Sequence, residues 1–304
     1  MSERLRSALS AVLVALACLL APCATLAGWA AYGVADTGRY VAAMAPLAGD
    51  PDVRDAVADS VGAGVMNKVG AGPMRATVAL YVQDAAHSFT RTDAYRAGWD
   101  TANRVIHAAV LRALRDEGTA GRPVTVDLAP VTDRVRDRIA QDNEPLARRL
   151  PMPHAEVTVL TAPEADRLRK GYHVLDVAAF WLPLAAVVFA VAGIALAVRR
   201  RRALTATGIG TAVGGVLLAL AVVVGRRLIL ADLPGPVDGP AAGAVYDALT
   251  ATLRTAAWLL VALGVTVAAA SWLTRRYGLP PRRRRPSAPP APDPAPPPSP
   301  RARL

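Results

Sequence analysis

The chain has 304 residues, of which 53% are hydrophobic and 5% aromatic, with a formal net charge of +11 and a mean hydropathy of +0.29. A soluble globular protein of this length is rarely so apolar, so a purely soluble fold is excluded. The excess charge lies outside residues 31–175, which hold 18 acidic and 18 basic residues, so this central part has no basic patch for nucleic acid.

Four segments contain no charged residue: residues 7–35, 177–198, 203–225 and 255–274. Each reaches about 20 residues or more, the length that crosses roughly 30 Å of hydrocarbon. Amphipathic helices of soluble domains carry charges on one face, and these segments carry none. The sequence therefore predicts transmembrane helices at residues 8–33, 176–198, 203–225 and 254–274.

The basic residues flank these spans and predict the topology. Under the positive-inside rule, the N-terminus (1–7), the arginine hairpin (199–202) and the tail (275–304) lie in the cytoplasm of a bacterial cell. The two remaining segments, residues 34–175 and 226–253, then face the cell envelope. Arg226 and Arg227 are an exception to this pattern, because they follow the third span on the envelope side.

The first span is longer than the apolar core of a signal peptide, which favours an uncleaved transmembrane helix. Small residues late in the span keep signal cleavage as an alternative. Contact with anionic inner-leaflet lipid is predicted for the arginines beside the spans. These are Arg199, Arg200, Arg201, Arg202, Arg282, Arg283, Arg284 and Arg285.

The envelope-facing segment shows the pattern of a mostly helical α+β domain. Asp50 and Pro51 are typical of a helix start, and two further helices are expected over residues 72–89 and 91–118. Alternating patterns predict short strands at residues 123–128 and 155–160, with a helix between them. Thr161 and Glu164 then form a capping-box pattern that starts a helix running into the second span.

The most distinctive stretch of this domain is "YRAGWDTANRVIHAAV". Trp99, Asn103 and His107 are spaced four apart and share one helical face, with Asp100 on its flank. Contact with a ligand or substrate is one interpretation. Another is a buried Asn–His pair that hydrogen-bonds under a packed tryptophan. A third, a metal site, would need a distant ligand such as His87 or His154.

In the third span, "GIGTAVGG" resembles a dinucleotide fingerprint, but it lies inside an apolar helix rather than between a strand and a helix. Gly210 and Gly214 instead form a GxxxG pair, which predicts close helix packing. The tail beyond the fourth span is rich in proline and arginine, which predicts a disordered cytoplasmic segment.

No catalytic motif is evident. No GxSxG sequence occurs, neither cysteine lies in the envelope-facing domain, and no HExxH pattern is present. No charged residue lies near the middle of a span, which argues against an ion-coupled transporter. We therefore expect no catalytic residue, no metal and no cofactor.

Three stretches resemble a group of uncharacterised integral membrane proteins of actinobacteria: "DTGRYVAAMAPLAGDPDVRDAVAD", "GWDTANRVIHAAVLRAL" and "VTVDLAPV". The resemblance covers about residues 9–275 and implies one span, an extracytoplasmic domain and three further spans. It implies no activity.

The sequence predicts an α-helical membrane protein with four transmembrane helices and a mostly helical extracytoplasmic α+β domain carrying a two-strand pair. The predicted function is non-catalytic binding, sensing or scaffolding in the cell envelope, with a membrane or envelope protein as a further partner. Two alternatives remain open. One is an envelope enzyme that uses His107 with a nearby acid such as Asp100. The other is an accessory subunit of a transport or secretion complex that docks through Gly210 and Gly214.

Overall fold

A computed structural model describes residues 3–68, 75–116, 118, 121–142, 144–145, 156–233 and 239–277. The helices are α1 (Glu3–Gly28), continued by a π-helical turn (Trp29–Val34), α2 (Thr37–Met44), continued by a 3₁₀ turn (Ala45–Gly49), α3 (Pro51–Lys68), α4 (Arg75–Phe89), α5 (Asp93–Arg115), α6 (Ala129–Asp142), α7 (Ala162–Leu196), α8 (Arg200–Ala231) and α9 (Gly239–Tyr277). The strands are β1 (Val124–Asp127) and β2 (Glu156–Leu160).

Four of these helices are long and apolar enough to cross a membrane: α1 with its π-helical turn, α7, α8 and α9. Large apolar side chains cover their outer surfaces, for example Leu19, Phe180 and Trp258. Water would disfavour so much exposed apolar area, whereas lipid would not. The prediction of four membrane-length helices is confirmed, and the chain has the architecture of a multi-pass membrane protein.

In the bundle, α1 lies between α7 and α8, and α8 packs along α9. The α1–α7 contact includes a buried hydrogen bond of 2.6 Å, which the Ser10 hydroxyl donates to the carbonyl of Gly193. Such a bond satisfies a hydroxyl that is buried between two apolar helices. Gly210 and Gly214 both face α1, where a Cβ on either glycine would meet Cys18 or Pro22.

The α8–α9 contact brings two backbones unusually close. A Cβ added at Gly208 would lie 2.8 Å from the carbonyl oxygen of Gly264 and from the backbone nitrogen of Ala268. Small residues permit this approach, because association of helices in lipid depends on close van der Waals packing. Nearer the C-terminal end of α8, Leu218 and Val222 form a buried cluster with Leu253 of α9.

The polar part of the chain between α1 and α7, here called the inserted domain, is mostly helical. Helix α3 packs on α4 and α5 packs on α6. The two predicted strands form an antiparallel pair in which Thr125 lies opposite Thr158. Glu164 accepts a hydrogen bond of 2.9 Å from the Thr161 backbone N–H, as the capping box predicts, and α7 then continues without a break to Leu196.

Helix α9 joins the inserted domain to the bundle. It has 39 residues and is therefore about 58 Å long, nearly twice the thickness of a hydrocarbon core. Its first turns pack against Met44, Leu47 and Val53, which form a buried group that we call the junction core. Much of the predicted loop at residues 226–253 is thus helical and contributes to the domain.

Candidate functional site

Trp99 lies on the face of α5 that packs against α2 and the 3₁₀ turn. Its indole contacts the junction core, and its Nε1–H donates a hydrogen bond of 2.9 Å to the carbonyl of Met44. Tyr95 packs beside it, with ring centroids 6.1 Å apart. Both the polar edge and the rings of Trp99 are therefore engaged inside the protein.

His107 connects α5 to the end of the first membrane-length helix. Its Nε2 lies 2.9 Å from the carbonyl oxygen of Val34, which can only accept, so Nε2 carries the hydrogen. In the neutral ring, Nδ1 then accepts from the Thr37 hydroxyl at 3.1 Å. The ring also stacks on Tyr40 with centroids 4.1 Å apart. His107 thus holds the start of α2 in place.

Burial lowers the pKa of His107 below its usual value of 6.5, and the charge of Arg115 acts in the same direction. The hydrogen bond to Val34 and the charge of Asp36 oppose this shift. The lowered pKa favours the neutral ring in which Nδ1 can accept from Thr37. Burial likewise raises the pKa of the Tyr40 hydroxyl.

We expect His107 to make the stability of the fold depend on pH. As pH falls below about 6.5, the unfolded chain binds a proton at this residue more readily than the folded protein, so stability decreases. Thermal unfolding measured between pH 7.5 and 5.5 should show a shallower loss in His107→Gln than in the unchanged protein. His173→Gln, which removes an exposed histidine of α7 outside this contact, is measured for comparison. An unchanged slope in His107→Gln would contradict this role.

The other predicted residues of this face do not converge on His107. Asn103 Nδ2 donates to the carbonyl of Trp99 at 2.9 Å, so the Asn–His hydrogen bond allowed by the spacing is not formed. Asp100 is half-buried on the same helix. Seven residues separate it from His107, or about 10 Å along the helix axis, too far for a direct acid–histidine pair.

No group of three or more His, Cys, Asp or Glu side chains that could hold a metal occurs within the described residues. His87 lies between Asp55 and Asp59, with its ring nitrogens 3.4 Å from each carboxylate. His154, named above as a possible distant ligand, lies outside the described residues, as do Arg282, Arg283, Arg284 and Arg285.

A groove of about 780 Å³ lies beside α2, where the inserted domain meets the bundle. We call it the junction groove. Its walls come from the end of the first membrane-length helix, from α2 and from α9. Trp29, Tyr32, Tyr40, Ala43, Leu249 and Thr252 are among its lining residues. It is mostly apolar, and it falls in the size range of sites that bind small molecules.

Two hydrogen bonds connect the segments that wall the junction groove. Trp29 Nε1–H donates to the carbonyl of Leu249 at 3.1 Å and so ties the first membrane-length helix to the last. At the rim, Arg39 Nη1–H donates to the carbonyl of Tyr32 at 2.9 Å while its guanidinium stays exposed. The segment Trp29–Val34 is a π-helical turn, a rare form that is frequent at functional sites.

The predicted α5 face supports the wall of the junction groove. Val34 and Tyr40 line the groove, and His107 hydrogen-bonds to the carbonyl of Val34 and stacks on Tyr40. The sequence pattern indicated the supporting residues Trp99 and His107 but not the aromatic residues that line the groove. The only local signal for these was that Trp29 and Tyr32 occur at the end of the first apolar run, where aromatic residues favour a membrane interface.

No protein family, no curated protein and no solved structure matches the chain. The resemblance to actinobacterial membrane proteins therefore stays a prediction, and the function has to be inferred from the site itself.

Proposed function

We propose that this protein is a non-catalytic receptor or sensor of the bacterial plasma membrane, with the inserted domain facing the cell envelope. Its ligand is an envelope amphiphile whose apolar part occupies the junction groove. The observation that carries this proposal is the groove itself, an apolar space walled jointly by the inserted domain and two membrane-length helices.

The distribution of charge supports this orientation. Arg199 and the arginines that follow it occupy the turn between α7 and α8 and the start of α8, at the end of the bundle where α1 begins. The exceptional Arg226 at the opposite end pairs with Asp247, at 3.2 Å, and Arg254 contacts the same carboxylate at 3.3 Å. Arg226 therefore has an ion-pairing role within the protein, and it stays an exception to the positive-inside rule, which depends on the number of basic residues rather than on net charge.

The chemistry of the groove supports an amphiphile rather than a polar solute. Aromatic and aliphatic side chains form most of the wall, and the exposed guanidinium of Arg39 lies at the rim. An acyl or isoprenoid chain would fit the interior, and an anionic headgroup would be favoured beside Arg39. Because the walls belong to α1, α2 and α9, an occupant would fix the inserted domain relative to the bundle.

Two features weaken the alternative functions. The enzyme hypothesis needs a free imidazole, but both ring nitrogens of His107 are hydrogen-bonded within the protein. The subunit hypothesis needs an available GxxxG face, but Gly210 and Gly214 already pack against α1. Docking to a larger complex would therefore use a different surface.

Filling the groove should remove its ligand. Ala251 lines the groove and is exposed, so Ala251→Phe would occupy the space without disturbing the junction core. Native mass spectrometry of the protein released from mild detergent should detect a bound amphiphile. We expect Ala251→Phe to reduce its occupancy at least about tenfold, as loss of a well-packed apolar contact surface implies.

Ala262→Phe is the matched control, since Ala262 is an exposed alanine of the same helix that does not line the groove. It should retain the bound amphiphile. Equal retention in both variants, or no bound amphiphile in any of the three proteins, would contradict the proposed function.

A further inference from the structure

A second cavity lies at the opposite end of the bundle from the inserted domain. It measures about 760 Å³ and opens between the start of α1, the α7–α8 turn and the start of α8. Arg4, Arg199 and Arg202 line it, so we call it the arginine cleft. Its deeper lining includes Val14, Cys18 and Gly210.

The depth of the arginine cleft matches one leaflet of a bilayer. Its lining follows α1 from Glu3 to Cys18, a rise of about 22 Å. Half a bilayer with its headgroup region is about 20–22 Å thick. Small side chains such as Ala11 and Ala206 line the cleft between its two ends, which leaves room for a chain along the helices.

The rim of the cleft is cationic. Arg4, Arg199 and Arg202 are exposed, and within the part of the chain that the structure describes none of them forms an ion pair. Glu3 is the one acidic residue among the lining residues, so three arginines and one glutamate give a net rim charge of +2. Arg201, by contrast, donates to the carbonyl of Thr274 at 3.3 Å on α9.

We propose that the arginine cleft is a specific binding site for one anionic phospholipid. The arginines hold the headgroup phosphate through charge-assisted hydrogen bonds, which guanidinium groups form in a bidentate manner. One acyl chain lies between α1 and α8, down to Cys18. The net charge of the rim favours an anionic lipid over a zwitterionic one. This site is independent of the amphiphile proposed for the junction groove.

A charge-matched pair of triple variants tests the site. The protein is placed in nanodiscs of phosphatidylcholine with a minor fraction of phosphatidylglycerol, and the lipid that stays bound is measured by native mass spectrometry. The combined Arg4→Gln, Arg199→Gln and Arg202→Gln variant should lose the preference for phosphatidylglycerol by at least about tenfold, because it removes the charge-assisted hydrogen bonds that the lining arginines make to the headgroup phosphate.

The control combines Arg6→Gln, Arg200→Gln and Arg201→Gln. It removes the same charge from the same segments, but none of these residues lines the cleft. It should change the preference by less than about twofold, since only diffuse attraction is reduced. An equal loss in both triple variants would overturn the proposal, because surface charge alone would then explain lipid attraction.

A third variant separates a lipid site from a simple phosphate site. Ala15 is exposed and lines the deep part of the cleft, so Ala15→Phe blocks the path of the acyl chain and leaves the arginines in place. It should reduce bound phosphatidylglycerol as strongly as the arginine variant. Unchanged binding in Ala15→Phe, with displacement by inorganic phosphate, would show that the rim binds only a phosphate anion and would overturn the proposal.

Discussion

Gly264→Ala will destabilise the helix bundle by about 1–3 kcal/mol or more, although it adds one methyl group. A Cβ at Gly264 would meet the backbone nitrogen of Ala212 and the carbonyl oxygen of Gly208. Both contacts are backbone atoms, so no flexible side chain can move aside. The α8–α9 contact must therefore open, and the thermal unfolding temperature in detergent should fall by several degrees.

Gly28→Ala is the matched control for this effect. Gly28 lies at the end of α1, and a Cβ there would meet nothing within 4 Å. Alanine has the higher helix propensity, so this variant should be as stable as the unchanged protein or slightly more so. Similar stability of Gly264→Ala and Gly28→Ala would show that α8 and α9 do not approach as closely as described.

Trp99→Ala will unfold the inserted domain or weaken it by about 3–5 kcal/mol, the usual cost of truncating a packed tryptophan. The variant loses the contacts of the indole with the junction core and the hydrogen bond from Nε1–H to the Met44 carbonyl. Loss of helical circular dichroism at a lower temperature would measure the effect. Trp99→Phe keeps part of the packing, so its stability should lie between those of Trp99→Ala and the unchanged protein.

Tyr81→Ala provides the comparison, because Tyr81 is 78% exposed on α4 and its truncation should leave stability nearly unchanged. The same pair of variants distinguishes two interpretations of the α5 face. If Trp99 contacts a ligand, Trp99→Ala should abolish that interaction while the domain stays folded. If Trp99 is part of the core, as its contacts indicate, the domain itself should lose stability.

Local sequence patterns were sufficient to predict the helices, strands and helix start that depend on residues close together in the chain. Uncharged runs predicted the four membrane-length helices, because lipid requires an apolar surface over a fixed length. Alternation predicted both strands, and the Thr161–Glu164 pair predicted where α7 begins. Each of these signals acts within about 20 residues of the chain.

The junction groove could not be predicted in this way, because it depends on contacts between distant segments. Trp29 bonds to Leu249, which is 220 residues further along the chain. Helix α2 was not predicted, although Asp36 caps its start, because eight residues are too few for a clear helical pattern, and the helical start of α9 was predicted as loop. The spacing of Asn103 and His107 also allowed a hydrogen bond, but Val34 and Thr37 satisfy the imidazole instead.

Photo-cross-linking in native membranes tests most directly whether the junction groove holds an envelope amphiphile. Tyr32 lines the groove and is 57% exposed, so the photoreactive residue p-benzoylphenylalanine can replace it with little disturbance. Phe180, which is 60% exposed on α7, provides a comparison site that does not line the groove. We expect one class of amphiphile to dominate the adducts at position 32 and to be a minor component at position 180. The same mixture of membrane lipids at both positions would contradict a specific site in the groove.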